Sequence, residues 1–168
     1  MLGPHGWVQT AVFFVFGLSL IVLALILYFH IKIKFKAGMF ALALLGAAFA
    51  VVGGNPTRAP GAVETLTNLI HRDASIFIVF MFPLACFLLA PSLKAKGHTV
   101  LRWITIGAGS FALIFLTVGG AIMVNRLAMV GLYERILLWN GQLWVELVCA
   151  QLLLDKLRNK PASQTSAT

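Results

Sequence analysis

The chain has 168 residues, of which 60% are hydrophobic and only 11% are charged, and its formal net charge at pH 7 is +8. Soluble domains are about 45–50% apolar and about 25% charged, so a soluble fold of this length has too little interior to hide this apolar surface. The basic excess does not indicate nucleic-acid binding, because lysines and arginines cluster at the ends of apolar runs, where they set topology and contact anionic lipid. We therefore predict an all-α, polytopic membrane protein.

Five apolar segments have about the 20 residues that a spanning helix needs. The predicted spans are residues 8–29, 37–54, 74–90, 104–124 and 135–154. Together they form one transmembrane domain over residues 1–160, followed by a disordered polar tail at 161–168. The first span is predicted to be a retained anchor, because no small-residue cleavage site follows it.

The second span is rich in glycine and alanine and carries no strongly polar side chain. Gly46 with Ala50, or Ala43 with Ala47, has the spacing at which small residues let two helix backbones approach closely. This pattern is typical of a packing helix. We expect leucine at Gly46, or at Gly119 in the fourth span, to disturb helix packing.

The connection between the second and third spans, residues 55–61, has the composition of a turn. Residues 62–73 are predicted to extend the third helix along the membrane boundary, and Pro83 is expected to kink that helix, which membrane helices tolerate. Trp103 marks a membrane boundary before the fourth span.

The basic residues divide unequally between the two ends of the predicted bundle. Nine of the thirteen lie at 32–36, 94–102 and 156–160, and the other four are Arg58, Arg72, Arg126 and Arg135. By the positive-inside rule, the end with nine faces the cytoplasm of a bacterial inner membrane. Five spans then place the N-terminus outside and the C-terminus inside.

Most of the polar side chains precede the third and fifth spans or continue into the fifth, so we expect them to gather at the outer face. One interpretation is a set of interfacial ion pairs that fix helix ends. The other is a water-filled vestibule that binds a ligand, a lipid headgroup or a proton. The candidate ligand-binding residues are His71, Asp73, Arg126, Glu134, Arg135, Gln142 and Glu146.

Glu146 is the least ordinary of these residues. It follows Arg135 by 11 positions, which at 1.5 Å per residue puts it roughly 16 Å deep, near the middle of a hydrocarbon core about 30 Å thick. An ionisable residue at this depth marks a functional site by default, and a structural hydrogen bond to Ser19 or Thr117 is the alternative. We expect Glu146 to face the bundle rather than lipid.

The sequence indicates no catalytic constellation and no metal site, since it lacks the motifs of metalloproteases, serine hydrolases and phosphate-binding loops. Cys86 and Cys149 lie within apolar runs and have no metal-ligand spacing. His30 and His71 are expected at opposite ends of the bundle, so they cannot share a haem, and His5 with His71 is a weak pair. The sequence therefore assigns no cofactor.

Four short stretches occur in an order that resembles a known family. The first two are Phe16-Gly17-Leu18 and the run from Val51 to Thr57. The third is Leu69-Ile70-His71 before Ala74, and the fourth is Gly131 to Ile136, followed by Leu138-Trp139 or Leu143-Trp144. The order resembles the bacterial and archaeal integral membrane proteins grouped as domain of unknown function 998. Those proteins usually have another helix ahead of the first, which this sequence lacks. The resemblance implies an inner-membrane helical protein with no assigned activity, and it carries over His71, Glu134 and Arg135.

Two functions are compatible with these observations. The first is a non-enzymatic accessory or scaffold subunit of a larger membrane complex, which associates with other subunits or with itself through small-residue helix faces. The second is a small carrier or receptor that binds a lipid or small molecule in the outward-facing vestibule. Small-residue faces left uncovered in the monomer would favour the first function, and a bundle around a polar cavity would favour the second.

Overall fold

The computed structural model describes residues 6–31, 36–55, 63–120 and 130–158, and within them the protein is all-helical. The helices are α1 (Gly6–Ile31), α2 (Ala37–Gly54), α3 (Leu66–Ala95), α4 (Thr99–Ile114, continued by a π-helical turn, Phe115–Gly119) and α5 (Val130–Arg158). Each of the five is long and apolar enough to cross a membrane, which confirms the predicted fold class.

The helices extend beyond the predicted spans. Helix α3 begins at Leu66, inside the predicted extension at residues 62–73, and it continues through Pro83 and Pro91 to Ala95, five residues beyond the end of the predicted span at 90. Hydropathy marks the part of a helix inside the hydrocarbon, whereas the helical backbone continues into the polar boundary on either side. The predicted end of the fourth span, the tail at 161–168, and His5, Arg58 and Arg126 lie outside the described residues.

Each helix packs mainly against its neighbours in the sequence, and α1 and α5 touch only sparsely. We call the end of the bundle where α3 begins the His71 end, and the opposite end, where α3 meets α4, the lysine end. The core is formed by buried aliphatic side chains from all five helices, together with Phe49, Phe82 and Trp144. The Trp144 ring meets the Phe82 ring edge-on at 5.8 Å between centroids, so α3 and α5 meet at the centre.

Glycines allow the close approach of neighbouring helices. A Cβ on Gly46 would lie 2.5 Å from the carbonyl oxygen of Gly17, and a Cβ on Gly17 would lie 2.5 Å from that of Gly46. A Cβ on Gly119 would lie 2.6 Å from the ring of Tyr133. The expected tight packing at Gly46 and Gly119 is confirmed, whereas Ala47, of the other predicted pair, is exposed.

Hydrogen bonds fix one side of α5 to α4. The Trp144 indole donates to the Thr105 hydroxyl at 3.1 Å, and the Asn140 amide donates to the Ala108 carbonyl at 3.1 Å. Nearer the His71 end, the Tyr133 hydroxyl lies 3.0 Å from the Phe115 carbonyl oxygen in the π-helical turn. These contacts determine which face of α5 is turned away from α4.

The same pairing continues at the lysine end of the two helices. There, the His98 ring lies 3.2 Å from the carboxylate of Asp155, and the Gln151 amide donates to the other Asp155 oxygen at 3.0 Å. Because His98 belongs to the turn between α3 and α4, this cluster holds the end of α5 against that turn.

Candidate functional site

The candidate residues at the start of α3 form a structural cluster. The Nδ1 atom of His71 lies 2.7 Å from the backbone carbonyl oxygen of Asn55. Because a carbonyl only accepts, Nδ1 donates, and His71 thereby ties the end of α2 to the start of α3. The amide of Asn55 donates to the Val51 carbonyl at 2.8 Å, which satisfies a free acceptor of the last turn of α2.

Asp73 belongs to an exposed ion-pair group on the same helix. The guanidinium of Arg72 lies 3.0 Å from Glu64 and 3.3 Å from Asp73. All three side chains are exposed, and surface pairs of this kind contribute about 0–1 kcal/mol. This geometry agrees with the interpretation of ion pairs that fix a helix end. Glu134 is also exposed, and it does not line the groove described next.

The other candidates that the structure describes, Arg135, Gln142 and Glu146, lie on one face of α5, where they line a groove between α1 and α5. Arg135, Trp139, Gln142 and Glu146 follow one another at steps of four, three and four, which is the spacing of one helix face. The helix α1 supplies the opposite wall. The His71 and Asp73 cluster contributes no side chain to this groove, so the described residues form two separate sites rather than the single polar cluster expected.

The larger part of the groove has a volume of about 500 Å³. Its walls are mostly apolar, and Ser19, Gln142 and Glu146 supply the polar side chains. From α1 the lining residues are Trp7, Val8, Ala11, Val12, Val15, Phe16 and Ser19; from α5 they are Gln142, Val145 and Glu146. Because Val12 and Val15 are exposed, the groove opens sideways, toward the surroundings of the bundle.

A smaller part of about 140 Å³ adjoins it toward the His71 end and contains Arg135, Trp139 and Gln9. The two parts share Val12, Phe16 and Gln142. Phe16 also lies 3.6 Å from the position that a Cβ on Gly141 would take, so the aromatic ring and the glycine form the contact between α1 and α5. Trp7 and Trp139 line the groove near its His71 end, which we call its mouth. Both side chains are exposed, as those of tryptophans at membrane boundaries are.

The prediction that Glu146 faces the interior of the bundle is wrong. Glu146 is exposed on the groove wall rather than enclosed by the bundle, and it forms no hydrogen bond or ion pair with any described residue. The Ser19 hydroxyl donates to the Phe16 carbonyl at 2.7 Å, and the Thr117 hydroxyl lies 3.0 Å from the Leu113 carbonyl oxygen. Both hydroxyls therefore donate within their own helices.

The packing of α5 explains this position. Trp144 and Val148 are buried, and Glu146 lies two residues from each of them. Two residues on an α-helix are separated by about 200°, so a buried Trp144 and Val148 turn Glu146 to the opposite side. Along α5, Glu146 lies roughly 16 Å from Arg135.

The part of the site that sequence reasoning missed is the wall supplied by α1. No chemical motif marks Trp7, Ala11 or Val15. The available indication was Gly141, a small residue one position before Gln142 that permits an aromatic ring to approach α5. Among the described residues, no three histidine, cysteine or acidic side chains converge as a metal site would require.

Comparison with protein families shows a match to the family described as "Protein of unknown function (DUF998)" over residues 1–151. The chain belongs to this family. The resemblance seen in the sequence is thereby confirmed, and the DUF998 match covers α1 to α4 and most of α5, including every residue that lines the groove. Comparison of this DUF998 protein with curated proteins and with solved structures finds no match.

Proposed function

We propose that this protein is a non-enzymatic membrane receptor or carrier that binds a membrane-soluble small molecule in the groove between α1 and α5. The observation that supports the proposal is the groove itself, with about 500 Å³ of space and mostly apolar walls. Small-molecule sites have volumes of about 300–1,000 Å³, apolar linings and a few polar groups that orient the ligand. Ser19, Gln142 and Glu146 have the placement of such polar groups.

The position of Glu146 distinguishes this groove from an ordinary lipid-facing surface. Glu146 lies 16 residues from the first residue of α5 and 12 from the last, or roughly 24 Å and 18 Å along the helix axis, and its carboxyl group has no partner among the described residues. Ionisable groups that deep in a membrane-spanning helix are costly and are usually functional. A ligand group in the groove would be its partner.

An accessory or scaffold subunit is the second candidate function. Gly107 lies on an exposed part of α4 and has nothing within 4 Å of the position of a Cβ, so a partner helix could approach closely there. Support for this candidate is weaker, because Gly17, Gly46, Gly109 and Gly119 are already used for packing within the chain.

Filling the groove is expected to abolish ligand binding. Ala11 lines the larger part of the groove, and Ala11→Trp would occupy the space with an indole ring. In a native mass spectrum after extraction in mild detergent, the wild type is expected to carry a stoichiometric small-molecule adduct that Ala11→Trp lacks. Leu18→Trp is the matched control, because Leu18 is 62% exposed on α1 and does not line the groove.

An adduct that persists in Ala11→Trp, or a wild type without any adduct, would contradict the groove proposal. A stoichiometric protein partner in the same spectrum would instead support the accessory function, and Gly107 would then be the first position to substitute.

We further propose that the lysine end faces the cytoplasm and that the groove mouth near Trp7 and Trp139 faces outward. With Cys86 and Cys149 replaced by alanine, a membrane-impermeant maleimide added to intact bacterial cells is expected to label Glu64→Cys at the His71 end. It is expected not to label Lys96→Cys at the lysine end until the cells are broken. Both positions are exposed, and the reverse pattern would overturn the orientation.

A further inference from the structure

The charge in the larger part of the groove identifies the class of ligand. Among the described residues that line it, Glu146 is the single charged side chain, and the others are apolar or neutral polar residues. We infer that the ligand is a lipophilic organic cation, with the Glu146 carboxylate as its counterion. This inference rests on the proposed binding function of the groove and adds the ligand chemistry.

Two features of the groove favour a cation over a neutral or anionic amphiphile. The Glu146 carboxylate lies among mostly apolar walls, where the attraction of a nearby positive charge is stronger than in bulk water. The groove also contains the aromatic rings of Trp7 and Phe16, whose faces attract cations. An organic cation with bulky apolar substituents satisfies both requirements, since its charge pairs with Glu146 while its substituents contact the valines and rings.

An anionic amphiphile fits the two parts of the groove less well. Its head would pair with Arg135 at the mouth, in the smaller part, roughly 16 Å along α5 from Glu146. Its chain would then occupy the larger part and leave the Glu146 carboxylate without a partner and farther from water. A cationic ligand avoids the free-energy cost of leaving this carboxylate without a partner, because its charge pairs with Glu146.

The test uses two probes of the same shape and opposite charge, tetraphenylphosphonium and tetraphenylborate. Binding of each is measured by equilibrium dialysis with the purified full-length chain in a non-ionic detergent. We expect saturable, one-to-one binding of tetraphenylphosphonium, which Glu146→Gln weakens by about tenfold or more, because the Coulombic attraction between the carboxylate and the cation is lost. Glu64→Gln, the same substitution at an exposed residue paired with Arg72, is expected to bind like the wild type.

The outcomes separate this inference from the proposed function. One outcome is that both probes bind equally, that Ala11→Trp blocks both of them, and that Glu146→Gln changes the binding of neither. The groove then binds amphiphiles without charge preference, and the cation inference is overturned. Tighter binding of tetraphenylborate, weakened by Arg135→Gln, would likewise overturn it in favour of an anionic ligand. If Ala11→Trp blocks neither probe, both the inference and the proposed function fail. Because Glu146 is exposed and has no hydrogen-bond or ion-pair partner in the described part of the chain, Glu146→Gln is expected to keep the wild-type elution profile and unfolding temperature, and it therefore isolates the charge.

Discussion

Replacement of Gly46 with alanine is expected to destabilise the protein although it adds only one methyl group. That methyl carbon would lie 2.5 Å from the carbonyl oxygen of Gly17 and 2.8 Å from the side chain of Ile21. The backbone oxygen cannot turn away as a flexible side chain could, so α1 and α2 must separate along their contact. Overpacking of this kind costs about 1–3 kcal/mol or more, and we expect a clear fall in the midpoint temperature of thermal unfolding in detergent.

Gly107→Ala is the matched control for this prediction. Gly107 is also in a helix, but nothing lies within 4 Å of the position of its Cβ. Alanine is favoured over glycine in a helix by about 1 kcal/mol, so Gly107→Ala should leave the unfolding temperature unchanged or raise it. Equal effects of the two substitutions would contradict the close contact between α1 and α2.

The largest loss of stability is expected from Trp144→Ala. The Trp144 side chain is only 2% exposed, packs edge-on against Phe82 and donates to Thr105. Its removal leaves a cavity where α3, α4 and α5 meet, and truncation of a buried tryptophan costs about 3–5 kcal/mol. We expect Trp144→Ala to unfold at a much lower temperature than the wild type or to aggregate during extraction.

Two further variants separate the causes of this loss. Trp139→Ala makes the same change on the same helix at a residue that is 64% exposed, and surface substitutions usually change stability by less than about 0.5 kcal/mol. Thr105→Val removes the hydrogen bond and keeps the ring, and it should cost about 1–3 kcal/mol, because the buried indole N–H of Trp144 loses its acceptor. A Trp139→Ala protein as unstable as Trp144→Ala would refute the assignment of Trp144 to the core.

The existence of the five helices could be predicted from the sequence because lipid imposes a strict requirement on length and hydrophobicity. A run such as residues 37–54 has few alternatives in a chain with this composition. The close contact at Gly46 was predictable for a similar reason, since small residues at a spacing of four permit backbones to approach. The end of α3 at Ala95 was not predictable in this way, because helical backbone continues beyond the hydrocarbon without an apolar pattern.

The groove could be predicted only in part. The stripe of Arg135, Gln142 and Glu146 follows from the period of an α-helix, but its orientation depends on which side of α5 is buried. That side is set by the contacts of Trp144 with Thr105 and Phe82, which join segments distant in the sequence. The position of α1 opposite Glu146 likewise depends on the arrangement of the whole bundle.

The order in which the helices pack has a consequence for biosynthesis. Each of α2, α3, α4 and α5 finds its principal contacts on the helix made just before it, so the bundle can assemble as the chain leaves the ribosome, without long searches between distant segments. The groove is the exception, since its walls come from the first and last helices. The groove is therefore completed last, and a nascent chain that still lacks α5 has only the wall that α1 supplies.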